Sequence, residues 1–113
     1  MDVLIVDDDF CSLKLCEATL KKYATHLEAD SREALEAFLK IRPQLVLIDC
    51  GMPYVDGFQV AKDIRRIDND CKIIMMSATP RDPEQIADCC DAFFMKPTSP
   101  KKINELVEKI LNP

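Results

Sequence analysis

Residues 45–57 read LVLIDCGMPYVDG. Leu45-Val46-Leu47-Ile48 is an uninterrupted apolar run of the kind that suits a strand buried on both faces, and it ends in a carboxylate, Asp49. Cys50, Gly51, Met52-Pro53 and Asp56-Gly57 then break the strand and turn the chain. An acidic group at the end of an apolar strand either terminates it or is delivered there for chemistry. The rest of the chain decides between the two.

Outward from this stretch, apolar runs alternate with amphipathic ones. Val3–Val6 is a short β-branched run, and residues 10–23 follow with Leu13, Cys16, Leu20 and Tyr23 on one helical face. A weak strand is expected around His26–Ala29. Asp30 or Ser31 can then cap a helix whose apolar face is Leu35, Phe38 and Leu39. Beyond Asp49, a helix from about Phe58 to Ile67 presents Val60, Ala61, Ile64 and Ile67, and Ile73–Met76 is a fourth strand. Asp82-Pro83-Glu84-Gln85 reads as an N-cap, a proline in the first helical position and a Gln closing a capping box. Ala92–Met95 is a fifth strand. Ser99-Pro100 opens a last helix with Ile103, Leu106, Val107, Ile110 and Leu111 on one face.

Strands alternating with helices predict an α/β fold, a parallel sheet covered on both faces to give three layers. Right-handed crossovers leave few topologies for a (βα)5 chain, and the flavodoxin-like strand order 2-1-3-4-5 is the expected one. With 113 residues the chain is the size of a single domain, 1–113. No segment is long and apolar enough to span a membrane, and Val3–Val6 is too short for a signal sequence, so a cytoplasmic location is expected. The net charge of -5 disfavours direct contact with nucleic acid. The six cysteines contain no C-x-x-C, and the one histidine, His26, stands apart. Zinc spacing is absent, and reduced, partly buried thiols are expected.

In this topology the chemistry-bearing residues collect on one edge. Strand 1 runs into Asp7-Asp8-Asp9, strand 3 into Asp49, strand 4 ends at Ser77, and strand 5 ends at Lys96 before Pro97. The switch point lies between strands 1 and 3, which brings Asp7 or Asp8 close to Asp49. Crowded carboxylates of this kind suit a hard cation such as Mg2+, and a lysine and a hydroxyl opposite suit a phosphoryl group. Asp9 is read separately, as the N-cap of helix 1. Together these residues point to phosphoryl transfer onto an aspartate.

The segments LIVDDD (4–9), LVLIDCGMPYVDG (45–57), IIMMSA (73–78) and FFMKP (93–97) resemble the receiver domain of two-component response regulators over essentially the whole chain. The resemblance implies a signalling phosphoacceptor and not an enzyme in the usual sense. Asp49 would accept a phosphoryl group from a histidine kinase or histidine phosphotransfer protein. Asp7, Asp8, Asp49 and the Gly51 backbone carbonyl would bind Mg2+, with Asp8 the more direct ligand of the acidic pair. Ser77 and Phe93 would be the switch residues, and Lys96 would pair with a phosphoryl oxygen, with a cis Lys96-Pro97 bond. The output partner would act on the face from strand 4 to helix 5, which the sequence leaves unidentified.

Three departures from the family pattern stand out. Phe93 lacks the hydroxyl of a tyrosine. The 18 residues between Ser77 and Lys96 predict a short helix 4, and the turn CCDAF before strand 5 lacks a glycine. Gly51 and Thr79 put small groups where the approach of water to a phosphoryl group is controlled. Two other readings are a pseudo-receiver that docks partners without phosphorylation, and a phosphohydrolase with its nucleophile in Asp7-Asp8-Asp9; the chain is small for the second. With the sequence read as a receiver alone, either a stand-alone receiver or a piece of a longer chain such as a hybrid kinase is expected, and a start at Met1 directly before strand 1 favours the first slightly.

Overall fold

The computed structural model describes all 113 residues. Five strands and five helices alternate: β1 (Asp2–Val6), α1 (Phe10–Thr19), β2 (Ala24–Glu28), α2 (Ala34–Ile41), β3 (Leu45–Asp49), α3 (Gly57–Ile67), β4 (Lys72–Ser77), α4 (Pro83–Cys89), β5 (Ala92–Met95) and α5 (Pro100–Leu111). A 3-10 turn, Ser31–Glu33, precedes α2. All strand pairings are parallel and the order is β2-β1-β3-β4-β5, as the alternation predicts. No helix is long and apolar enough to cross a membrane.

The sheet divides the core by the two-residue period of its strands. Leu4, Val6, Val46, Ile48, Ile73 and Met75 face the layer that includes Phe38, Val60, Ala61 and Ile64. Their neighbours Val3, Ile5, Leu45, Leu47, Ile74 and Met76 face the other way, onto Leu13, Cys16, Ile103 and Val107. Burial on both faces is why β3 reads as a continuous apolar run instead of an alternating one.

Several expectations need adjustment. Helix α1 stops at Thr19, short of Tyr23, although Leu20 just beyond it is still fully buried. The second strand covers 24–28, two residues earlier at its start than expected. In α2 the buried positions are Ala34 and Phe38, while Leu39 is 45% exposed, because the register places it past the apolar stripe. Ile67, the last residue of α3, is likewise exposed, at 40%. Asp82 does cap α4, accepting from the Glu84 N–H at 3.0 Å, with Pro83 in the first turn. Gln85 does not complete the box; it lies exposed, and the cap is a single side-chain bond. As expected, α4 is short, at seven residues.

The glycine missing from CCDAF is replaced by a polar clamp. The Ile73 N–H donates to Asp91 Oδ2 at 2.9 Å and the Asp91 N–H donates to the Ile73 carbonyl at 2.8 Å. Arg65, from α3, donates to the same carboxylate at 2.9 Å and to the Cys71 carbonyl at 2.7 Å. Burial acts to raise the Asp91 pKa, but the bonds from Ile73 and Arg65 outweigh it and hold the carboxyl below its ordinary value. The turn into β5 is therefore set by a side chain and not by backbone freedom. None of the six cysteines is paired. Burial pushes Cys16 and Cys90 up to about 11 and Cys50 and Cys71 up to about 12, so these thiols are held in their unreactive form.

Candidate functional site

Because the strands are parallel, the residues at their carboxyl ends share one edge, and the pairing of β1 with β3 sets the two acidic ends side by side. Asp7 follows β1 and is fully buried; Asp49 closes β3 and is 9% exposed; Asp8 is exposed. Carboxylate oxygens of all three lie within 4.8 Å of one another. Lys96, just past β5, enters this group. Its Nζ donates to Asp7 Oδ2 at 2.6 Å and lies 3.6 Å from Asp49 Oδ2. The Lys96-Pro97 bond that precedes α5 is cis, as expected. Asp7 also accepts from the Asp9 N–H at 2.9 Å, and the Asp9 carboxylate accepts from the Cys11 N–H at 3.0 Å. Asp9 therefore caps α1, the role assigned to it from sequence.

The charges are unequally balanced. Burial, then the negative charge of Asp7, raises the Asp49 pKa, and Lys96 and the Gly51 N–H (3.3 Å from Oδ1) only partly offset this. Burial acts to lower Lys96, but its hydrogen bond to Asp7 and the charges of Asp7 and Asp49 prevail and raise it. Three clustered carboxylates, two of them paired with one lysine, form an all-oxygen donor set with negative charge to spare. This composition fits a hard divalent cation such as Mg2+.

Ser77, 1% exposed at the end of β4, does not bond to Asp49. Its hydroxyl donates to the Thr79 carbonyl at 2.7 Å and accepts from the Thr79 N–H and from Arg81 Nε, both at 3.1 Å. Phe93 is set apart from the carboxylates; it packs half-buried against the core layer that holds Met75 and Cys89. Gly51 follows Asp49 by two residues, and its open side lies beneath the guanidinium of Arg81.

The loop from 50 to 56 is anchored from two directions. Gly57 begins α3 so close to the end of β3 that a Cβ on it would fall 2.2 Å from the Asp49 carbonyl oxygen. This contact, and not turn freedom, is what requires glycine there, since no glycine has a positive φ. Ser31, 4% exposed, donates to the Pro53 carbonyl and accepts from the Val55 N–H at 3.1 Å. Sequence reading placed Ser31 only as a possible cap of α2; instead Asp30 caps the 3-10 turn, accepting from the Arg32 N–H at 2.9 Å, and α2 itself begins after Glu33 with no side-chain cap. Arg81 was also missed. Its one available signal was a lone cation four residues after Ser77, in the loop facing the acidic edge.

Residues 3–108 match the family described as response regulator receiver domain. Among curated relatives, the chemotaxis protein CheY of Thermotoga maritima is 34% identical over 114 residues, covering 96% of this chain and 95% of that protein. The probable transcriptional regulator ycf27 of Guillardia theta is also 34% identical over 114 residues, but the chain spans only 44% of its length. Among solved structures, the chemotaxis protein CheY4 of Vibrio cholerae superposes with a TM-score of 0.88 at 26% identity, covering 96% of this chain and 97% of that one. Whole-length likeness in sequence and in fold, with the acidic edge at the switch point, leads to one conclusion: this chain belongs to the response regulator receiver domain family.

Proposed function

We propose that Asp49 is the phosphoacceptor of a two-component or phosphorelay switch, charged by a histidine kinase or histidine phosphotransfer protein in the cytoplasm. The observation that carries this reading is the convergence of Asp7, Asp8, Asp49 and Lys96 on one sheet edge, with the Asp49 carboxylate held at the end of a rigid strand. Asp7, Asp8, Asp49 and the Gly51 carbonyl would hold Mg2+, which supplies positive charge to phosphoryl oxygens.

Asp49 attacks the phosphorus of the donor phosphohistidine. A P–O bond forms, the P–N bond breaks, and the imidazole leaves with the electron pair and takes up a proton. Lys96, already 3.6 Å from Asp49, pairs with a phosphoryl oxygen and offsets its charge. The Ser77 hydroxyl exchanges its bond to Thr79 for one to the phosphoryl group. Phe93 then repacks, and the face from β4 to α5 changes what it offers to an output protein. Phe93 brings no hydroxyl, so its part in any output contact is apolar.

The experiment is intact mass after incubation with acetyl phosphate, with and without Mg2+. The expected result is one Mg2+-dependent phosphoryl adduct, absent from Asp49→Asn. Native chain that stays unmodified under every condition, or Asp49→Asn that takes up the group as readily, sinks the assignment and favours a pseudo-receiver that works by docking alone.

A further inference from the structure

Arg81 is the charged group at this edge for which the proposed chemistry has no use. It lies between β4 and α4, and its one side-chain hydrogen bond runs from Nε to Ser77 Oγ at 3.1 Å. Nη2 reaches over Gly51, close enough that a Cβ on that glycine would lie 3.2 Å from it. The guanidinium thus closes one side of a cleft of about 340 Å³ shared with Asp49, Gly51, Ser77, Thr79 and Lys96. No carboxylate pairs with it, while Lys96 is occupied by two.

We propose that Arg81 is a second phosphoryl-binding cation. In the unmodified chain it holds Ser77 in its resting arrangement; when Asp49 carries a phosphoryl group, it turns its free Nη donors to the phosphoryl oxygens. The proposal rests on the phosphoacceptor reading of Asp49 and adds a residue to it.

Three features support the assignment. An aspartyl phosphate replaces the single charge of the Asp49 carboxylate with about two, borne on oxygens that reach out beyond Asp7, Asp8 and Lys96, so a second cation has a defined charge to meet. A guanidinium presents paired N–H donors in a planar fork, a geometry that matches phosphoryl oxygens better than an ammonium does. Arg81 also has a reason to move together with Ser77. Its Nε donates to the same hydroxyl that must leave Thr79, so one rearrangement frees both groups. Gly51 supplies the room, because a longer side chain there would displace Nη2.

The test uses beryllium trifluoride, a non-covalent stand-in for the phosphoryl group, titrated into the Mg2+-loaded full chain. Arg81→Gln is expected to bind it about tenfold more weakly, the scale of one lost charge-assisted hydrogen bond. Arg81→Lys should fall in between, and the acetyl-phosphate adduct of Arg81→Gln should decay severalfold faster than that of the native chain. Mg2+ alone should bind Arg81→Gln at least as tightly as the native chain, because a cation has been removed from the edge. Equal trifluoride affinity and equal adduct lifetime in Arg81→Gln would overturn the proposal. So would a parallel loss of Mg2+ and trifluoride binding, which would mean that Arg81 only shapes the loop. If the native chain itself takes neither ligand nor adduct, the phosphoacceptor reading fails first and the role of Arg81 goes with it.

Discussion

Asp49 is a carboxylate kept where ionisation is unfavourable. Burial and the neighbouring Asp7 both raise its pKa, and Lys96 at 3.6 Å does not fully compensate. A carboxyl whose pKa is raised on folding binds its proton more tightly in the native state than in the unfolded one. Stability is therefore lost as pH rises through the folded pKa. Asp49→Asn removes that liability and keeps the shape. In the absence of divalent cations it should be more stable than the native chain at neutral pH, by about 0.5–2 kcal/mol, the usual gain from relieving a strained functional group. The gap should close in acid, where the protonated carboxyl and the amide are both neutral. Urea unfolding at several pH values measures this directly. Equal stability at neutral pH would show that Lys96 fully neutralises Asp49.

At the scale of elements, the site depends on how tightly α3 is seated on β3. Gly57→Ala would drive a methyl group into the Asp49 carbonyl, 2.2 Å from the ideal Cβ position, and because the close atoms are all backbone of Asp49 and Cys50, no side chain can swing away to relieve it. A destabilisation at or above the roughly 1–3 kcal/mol of an overpacked core is expected, together with slower uptake of acetyl phosphate as Asp49 is displaced. Thermal unfolding and intact mass check the two effects separately; an alanine variant of native stability would mean that α3 can shift without cost. This element also shows what sequence could and could not reveal. The boundaries of β3 and β5 were legible because burial on both faces leaves unbroken apolar runs, and Ser99-Pro100 marked the start of α5 by capping chemistry alone. The acidic edge was legible because parallel strands must bring their ends together. Leu39 and Ile67 were misread because helical spacing gives a stripe but not its limits. Gly57 was assigned a turn because close approach to another backbone leaves no local signal. Ser31 and Arg81 reach the site across gaps in sequence, Ser31 to Pro53 and Val55 and Arg81 to Gly51, and no local pattern encodes such contacts.

Across the whole molecule, burial is concentrated in the three central strands and falls off toward the edges of the sheet. The apolar residues of β1, β3 and β4 in the core are at 0% exposure, whereas no residue of β5 is fully buried and α4 buries only Cys89. The groups proposed to meet a phosphoryl group, Ser77, Arg81 and Lys96, lie at or just past the ends of β4 and β5, beside the lightly packed α4 and β5. A change that starts there meets little resistance toward α4 and a rigid sheet in the other direction, so it should travel one way. Amide hydrogen exchange with and without beryllium trifluoride and Mg2+ tests this. Protection should change across residues 77–97, in the β4–α4 loop, α4 and β5. The amides of β1 and β3 should exchange at unchanged rates, apart from Asp49 and the loop after it. If α1 or β2 responded as strongly as α4, the switch would be transmitted through the whole sheet and the grading of burial would not direct it. Confinement to 77–97 would instead mark that face as the surface on which an output partner reads the phosphorylated state.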